Sequence, residues 1–177
     1  MAKRNPIVSF LYFSSGEVYG KVNDSIATVS ETDYGYLDPM NVRSCYGESK
    51  RMGENICISY MHQYGIPVKV VRPAHTYGPG MDLNDGRVFA DFVRDVAHNN
   101  NIVMHSDGSN SRAFCYLSDA TIAFFIVLLY GTNGEAYNVA NPLCEITIIE
   151  LAEKLVKLFP DKKLKVEKVA LPEIEGS

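Results

Sequence analysis

Apolar runs and polar segments alternate along this chain with a strand–helix rhythm. Phe10-Leu11-Tyr12-Phe13 is a short continuous apolar run ending in Ser14-Ser15-Gly16, the pattern of a buried parallel strand that opens into a loop. Residues 21–40 are polar and carry Asp, Gly and Pro, which predicts a surface loop. A helix is expected from Asn41 to Tyr64, ended by Gly65 and Pro67. A β-rich run, Val68-Lys69-Val70-Val71-Arg72-Pro73, follows and is broken by its proline. After the loop His75-Thr76-Tyr77-Gly78-Pro79-Gly80, residues 87–98 read as a helix and Ile102-Val103-Met104 as a short strand. Residues 118–130 read as a helix capped at its Ser118-Asp119 entry, and Tyr137-Asn138-Val139-Ala140 as a strand. Ile146 to Phe159 carries apolar residues at helical spacing, with Thr147-x-x-Glu150 as a capping box and Glu153/Lys157 as a solvated i,i+4 pair. Strand, serine loop, helix, strand and Gly/Pro loop occur in the order of an α/β doubly wound parallel sheet.

Composition narrows the partners. A chain of 177 residues can bury roughly two-thirds of its surface, and 46% hydrophobic with 21% charged residues is ordinary for a globular domain. The net charge of −4 comes without any basic cluster, so neither nucleic acid nor an anionic membrane is expected as a partner. The longest apolar stretch, Ala120 to Tyr130, is too short to span a bilayer. Cys45, Cys57, Cys115 and Cys144 form no C-x-x-C pair and read as thiols of a reducing compartment. With no signal peptide after Met1, a cytoplasmic location is expected. His62, His98 and His105 have no ligand spacing, so no metal site is expected.

The chemistry centres on Tyr46-Gly47-Glu48-Ser49-Lys50. Four residues are about one helical turn, so the phenol and the ammonium share a face. A neighbouring positive charge favours phenolate, which makes such a pair a base for a sugar or alcohol hydroxyl whose carbon loses hydride to a nicotinamide. The spacing alone recurs on many amphipathic helices; the order of the flanking segments gives it weight. Ser15, four residues before Tyr19, reads on its own as a turn former at a strand end.

Ser14-Ser15-Gly16-Glu17-Val18-Tyr19-Gly20, the Tyr46–Lys50 string and Arg72-Pro73-Ala74-His75-Thr76-Tyr77-Gly78-Pro79 carry a family resemblance, joined by Asn84-Asp85-Gly86-Arg87-Val88 and Arg112-Ala113-Phe114-Cys115-Tyr116-Leu117-Ser118-Asp119. From roughly Phe10 to Leu158 the chain resembles the extended short-chain dehydrogenase/reductases, the NAD-dependent nucleotide-sugar epimerases, dehydratases and decarboxylases. The resemblance implies a Rossmann-like sheet with a small C-terminal substrate subdomain, NAD as cofactor and a nucleotide sugar as substrate. It implies Tyr46 as base, Lys50 on the nicotinamide ribose, Ser15 on the sugar oxygen and Pro73 against the nicotinamide. Glu17 occupies a base position; His75 (usually asparagine in the family), Arg87 and Arg112 fall where the diphosphate or uronate binds. Sugar 4,6-dehydratases carry an Asp-Glu pair at Gly16 and Glu17, and glycine cannot protonate a leaving hydroxyl. The match is therefore better to UDP-glucuronate decarboxylases, which have close counterparts of Asn84–Val88 and Ser111–Phe114. A 4-epimerase, needing only Ser15, Tyr46 and Lys50, is the alternative; a non-catalytic binding remnant is another.

No G-x-x-G-x-x-G or G-x-G-x-x-G string occurs, and Met1–Pro6 reads as the end of a helix preceding a mid-sheet strand. The C-terminus also stops sooner than the family pattern. The expectation is a fragment, with residues 1–80 forming the C-terminal part of an NAD-binding domain that carries the catalytic residues. Residues 81–177 would be mainly a substrate-binding subdomain, with about 113–142 returning to the Rossmann-like core. Family members commonly dimerise through the Tyr46 helix and its neighbour, so a homodimer is expected of the full-length protein.

Overall fold

The computed structural model describes residues 6–23, 25, 26 and 28–169, so the helix end expected at Met1–Pro6 lies, Pro6 apart, outside the described residues. In chain order the elements are β1 (Phe10–Phe13), α1 (Cys45–Tyr64), β2 (Val68–Pro73), β3 (His75–Tyr77), α2 (Val88–Ala97) and β4 (Ile102–Met104). They continue as β5 (Ser111–Tyr116), α3 (Leu117–Tyr130), β6 (Ala136–Val139), β7 (Glu145–Thr147), α4 (Ile148–Lys157) and β8 (Val166–Lys168). The chain divides into two compact units, residues 1–76 with 115–140 and residues 77–114 with 141–177.

The first unit is built on a parallel sheet of order β1-β2-β6, with Phe10 opposite Val68 and Val70 opposite Ala136. Successive side chains of a strand point to opposite faces, and here both faces are apolar. Val71, Val139, Leu11 and Tyr137 pack with Ala120, Ala123, Phe124 and Val127 of α3. Val68, Val70, Tyr12 and Ala136 pack with Cys57 and Met61 of α1 on the other face. That double covering explains why Val68, Val70 and Val71 are all buried, on both faces of β2, instead of alternating with exposed residues. Each fully buried valine on it contributes about 1.5–3 kcal/mol. Lys69, one of two buried charged residues on the strand, is 5% exposed and donates to Ser9 Oγ at 2.8 Å and to the Leu128 carbonyl at 3.1 Å, in the last turn of α3. An ammonium at that position satisfies a helix-terminal carbonyl and complements the helix dipole.

In the second unit, Phe92 and Val96 of α2 meet Ile102 and Met104 of β4, Phe114 of β5, Leu151 and Ala152 of α4, and Leu164. The rings of Tyr77, Phe89 and Phe114 form a cluster with centroids 5.1–6.0 Å apart. Here β5 runs antiparallel to β7, with Arg112 opposite Ile146, and β4 pairs in parallel with β8.

Several boundaries depart from expectation. The helix placed from Asn41 begins at Cys45, because Asn41 caps a 3-10 turn, Val42–Ser44, by accepting from the Arg43 N–H. Ser118 and Asp119 do not cap α3: the helix starts at Leu117, which leaves Tyr116 in the cap position, where its side chain makes no capping bond to the helix. The last predicted helix is preceded by strand β7 and spans Ile148–Lys157, with the Thr147/Glu150 capping box formed and Glu153 paired to Lys157 at 3.5 Å. Residues 21–40 are more than a surface loop. Lys21 bridges to Tyr36, and the amide of Gly35 donates to the Tyr19 carbonyl at 2.8 Å, so the segment is strapped onto the unit.

Candidate active site

Helix α1 lies along β1 and the turn that follows it, and its sequence permits the approach. A Cβ on Gly47 would sit 2.9 Å from the Glu17 carbonyl oxygen, and one on Gly53 would sit 1.9 Å from the Tyr12 hydroxyl. Between these two contacts Lys50 Nζ donates to the Phe13 carbonyl at 2.9 Å, where β1 ends. Arg51, on the next position, donates to the Val18 carbonyl at 2.7 Å and to that of Gly35 at 2.8 Å, fixing turn and strap to the helix.

Around this contact the structure gathers several of the residues singled out in the sequence. Lys50 Nζ lies 5.7 Å from the centre of the Tyr46 ring, so the two groups share one face of α1. Tyr46 is 50% exposed. Ser15 caps the 3-10 turn Gly16–Tyr19, its Oγ accepting from the Glu17 N–H at 3.2 Å. That bond occupies a lone pair and leaves the hydroxyl proton available to donate elsewhere. Glu17 is exposed on the same turn. Pro73, at the end of β2, has its carbonyl 3.8 Å from where a Cβ on Gly16 would be. Ser14 Oγ is buried at this strand end with no hydrogen-bond partner among the described residues. His75 follows in β3 and is exposed.

A second phenol lies as near to Lys50 as Tyr46 does. The Tyr12 ring centre is 5.6 Å from Lys50 Nζ. Burial pushes its phenol up, as do Cys57, Glu54 and Tyr46, and its hydroxyl lies against Gly53, a full turn from the Lys50–Phe13 contact. Tyr12 therefore stays neutral, and Tyr46 is the phenol presented at the strand ends.

Arg87 and Arg112 belong to the other unit. Arg87 precedes α2, is exposed, and pairs through Nε and Nη2 with Asp85 Oδ2 at 2.5 Å; its hydrogen bonds hold the Asp85 carboxyl below its ordinary range. Exposed Arg112, on β5, donates to the carbonyl of Ser111 at 2.7 Å.

Sequence reasoning passed over a buried polar hub. Arg72, in the apolar strand β2, is 2% exposed. It forks onto Glu54 of α1, Nε to Oε1 at 2.9 Å and Nη2 to Oε2 at 2.7 Å. It also donates to the Tyr19 hydroxyl at 3.0 Å, the Glu31 carbonyl at 2.8 Å and the Tyr34 hydroxyl at 3.1 Å. Burial works against the guanidinium charge, but these bonds outweigh it and hold Arg72 above its ordinary value. Tyr19 in turn donates to Asn138 Oδ1 at 2.5 Å, and Asn138 binds Glu31 Oε1 and the Val29 carbonyl through its N–H groups. The available signal was the charge itself: an arginine in an otherwise buried strand needs a carboxylate, and Glu54 stands one turn beyond Lys50.

A parallel sheet covered on both faces, with a Tyr/Lys pair and a serine turn at its carboxyl edge, defines a Rossmann-like, doubly wound α/β fold. The chain belongs to the NAD dependent epimerase/dehydratase family, which matches residues 1–140. UDP-glucuronic acid decarboxylase 6 of Arabidopsis thaliana is 35% identical over 157 residues, 88% of this chain and 45% of that protein. UDP-glucuronic acid decarboxylase 1 of Xenopus tropicalis is 34% identical over 148 residues, 84% of this chain and 34% of that protein. Among solved structures, dTDP-glucose 4,6-dehydratase from Bacillus anthracis, in complex with NAD, superposes with a TM-score of 0.80 at 26% identity, covering 97% of this chain and 52% of its own. UDP-N-acetylglucosamine 4-epimerase from Methanobrevibacter ruminantium shares the fold, with a TM-score of 0.82 at 24% identity over 97% of this chain and 53% of its own. The chain thus spans about half or less of the length of the relatives it matches.

Proposed function

We propose that this chain carries the catalytic and substrate-binding part of an NAD-dependent nucleotide-sugar decarboxylase acting on a UDP-uronic acid through a 4-keto sugar. The observation that carries the reading is Lys50 anchored to the Phe13 carbonyl at 2.9 Å with Tyr46 on the same helix face, at the strand ends that also bear Ser15 and Pro73. The likeness to UDP-glucuronic acid decarboxylases over 88% of the chain supports the choice of substrate.

The nicotinamide end of the cofactor fits the residues present. Lys50 keeps two N–H donors after its bond to Phe13, Ser14 Oγ is buried with no hydrogen-bond partner among the described residues, and Gly16 leaves the turn open toward Pro73. Lys50 would hold the nicotinamide ribose and Pro73 would lie against the ring. The pyrophosphate is assigned to no residue of this sequence, which has no glycine-rich strand–turn–helix string.

NAD, when bound, supplies a two-electron acceptor for the C4 hydride and returns that hydride afterwards. Tyr46 takes the C4 hydroxyl proton, Ser15 donates a hydrogen bond to the same oxygen, and the Lys50 ammonium steadies the charge that develops on the phenol. Once C4 is a ketone, the C5 carboxylate is that of a β-keto acid. Its C–C bond breaks, carbon dioxide leaves, and the electron pair passes into the C4 carbonyl. No acid is needed for a leaving hydroxyl, consistent with Gly16 in the turn. Glu17 serves proton transfer at C5, and His75, Arg87 and Arg112 bind the diphosphate or uronate by charge-assisted bonds. We also propose dimerisation through the exposed Met52, Ile56 and Tyr60 of α1.

Incubation with UDP-glucuronate and NAD, followed by proton NMR and carbon dioxide release, tests the reading. Loss of the carboxyl is expected; a product with inverted C4 and an intact carboxyl would mark an epimerase instead. Tyr46→Phe is expected to lower turnover about a hundredfold or more while leaving nucleotide-sugar binding intact.

A further inference from the structure

We propose that Arg72 is a positioning residue: one buried guanidinium holds the helix that bears Tyr46 and Lys50 and the turn that bears Ser15, and so sets the distance between them. The inference rests on the preceding reading for its catalytic meaning, although its geometry stands apart from it.

Two arms leave the same cation. One is the fork to Glu54, whose side chain is 14% exposed. Glu54 lies four residues beyond Lys50 and eight beyond Tyr46, on the same strip of α1, so the fork fixes the rotation of that strip about the helix axis. The other arm runs from Nη1 to the Tyr19 hydroxyl at 3.0 Å, with the guanidinium 4.9 Å from the Tyr19 ring centre. Tyr19 is the last residue of the turn that Ser15 caps. Both arms start from β2, one residue before Pro73. Lysine could supply the charge but not a planar fork plus a third, differently directed donor, so arginine is required by geometry rather than by sign. The bonds from Nη1 to the Glu31 carbonyl and Nη2 to Tyr34 bring the strap onto the same centre.

A merely structural arginine would loosen the whole unit when replaced, and Lys69 reports that. It lies on the opposite face of β2, is 5% exposed, and touches neither arm. Competitive acylation of the 177-residue chain, read by mass spectrometry, compares Lys50, Lys69 and the well-exposed Lys157. Amide hydrogen exchange at Val18 and Gly20, whose N–H groups close the turn, reads the other arm. Arg72→Lys is expected to raise Lys50 labelling and turn exchange about fivefold each, with Lys69 unchanged relative to Lys157. Glu54→Gln should raise Lys50 labelling alone and Tyr19→Phe turn exchange alone; these two keep the test alive if Arg72→Lys does not fold. Lys69 rising in step with Lys50 in any folded variant, or Lys50 labelling unchanged in Glu54→Gln, overturns the proposal. The measurement needs no ligand, so a wild-type chain that binds no nucleotide sugar would count against the proposed function and not against Arg72.

Discussion

Gly53 shows how a single missing carbon places the helix that bears Tyr46 and Lys50. Alanine would raise helix propensity there by about 1 kcal/mol. Its Cβ, however, would fall 1.9 Å from the Tyr12 hydroxyl, and relieving such a clash costs about 1–3 kcal/mol. The clash is at least as large, and Gly53→Ala is expected to lower stability by up to about 2 kcal/mol, a fall in Tm of up to roughly 8 °C by thermal unfolding. Tyr19 gives a prediction of a different sign. Burial pushes its phenol up, and the Arg72 hydrogen bond and charge oppose that only in part. A group with its folded value raised stabilises the fold fully below its unfolded value and loses that contribution as pH rises through the folded one. The stability tied to Tyr19 is therefore lost on the alkaline limb, above about pH 10. Melting curves between about pH 8 and pH 11 should show that limb flattened in Tyr19→Phe relative to the native chain.

Elements with strong periodicity were legible, and those held by long-range pairing were not. Helices α2 and α4 came out within a few residues because their apolar spacing is local, as did the Thr147/Glu150 box, whereas α3, apolar nearly all round, was legible as a long apolar stretch. Strands β7 and β8 have three residues each and no alternation to read; Val166-Glu167-Lys168 exists as a strand because it pairs with β4. The strap over residues 21–40 looked like loop because the residues it docks on, Arg72 and Asn138, are distant in sequence. On α4, bonds from the Thr147 backbone and side chain hold the Glu150 carboxyl below the usual range. A depressed folded value means stability that is present above the unfolded value and lost as pH falls through the folded one. An acid titration should thus weaken α4 below the ordinary glutamate range, and Thr147→Ala should cost about 1 kcal/mol at neutral pH by urea unfolding.

At the scale of the molecule, the candidate site divides by how its residues are encoded. Tyr46, Lys50 and Ser15 were readable because each lies in a contiguous string, whereas the Arg72 hub draws its groups from the turn, the strap, α1, β2 and β6 and leaves no local pattern. The same division bears on ligands. A dinucleotide pyrophosphate is ordinarily held by backbone amides of a glycine-rich turn at a helix N-terminus, and this sequence contains no such string. Each charge-assisted bond forgone is worth about 1.5–3 kcal/mol, so two of them amount to about a hundredfold or more in affinity. For the proposed sugar, in contrast, the uronate and diphosphate have proposed partners in Arg87 and Arg112, both exposed on the second unit. Isothermal titration of the 177-residue chain should therefore give UDP-glucuronate a Kd at least about a hundredfold lower than that of NAD. Arg112→Ala should erase most of that difference by weakening the sugar alone. Equal affinities in the native chain would mean that NAD is gripped by residues other than those assigned to it, and that the pyrophosphate has a second kind of seat in this fold.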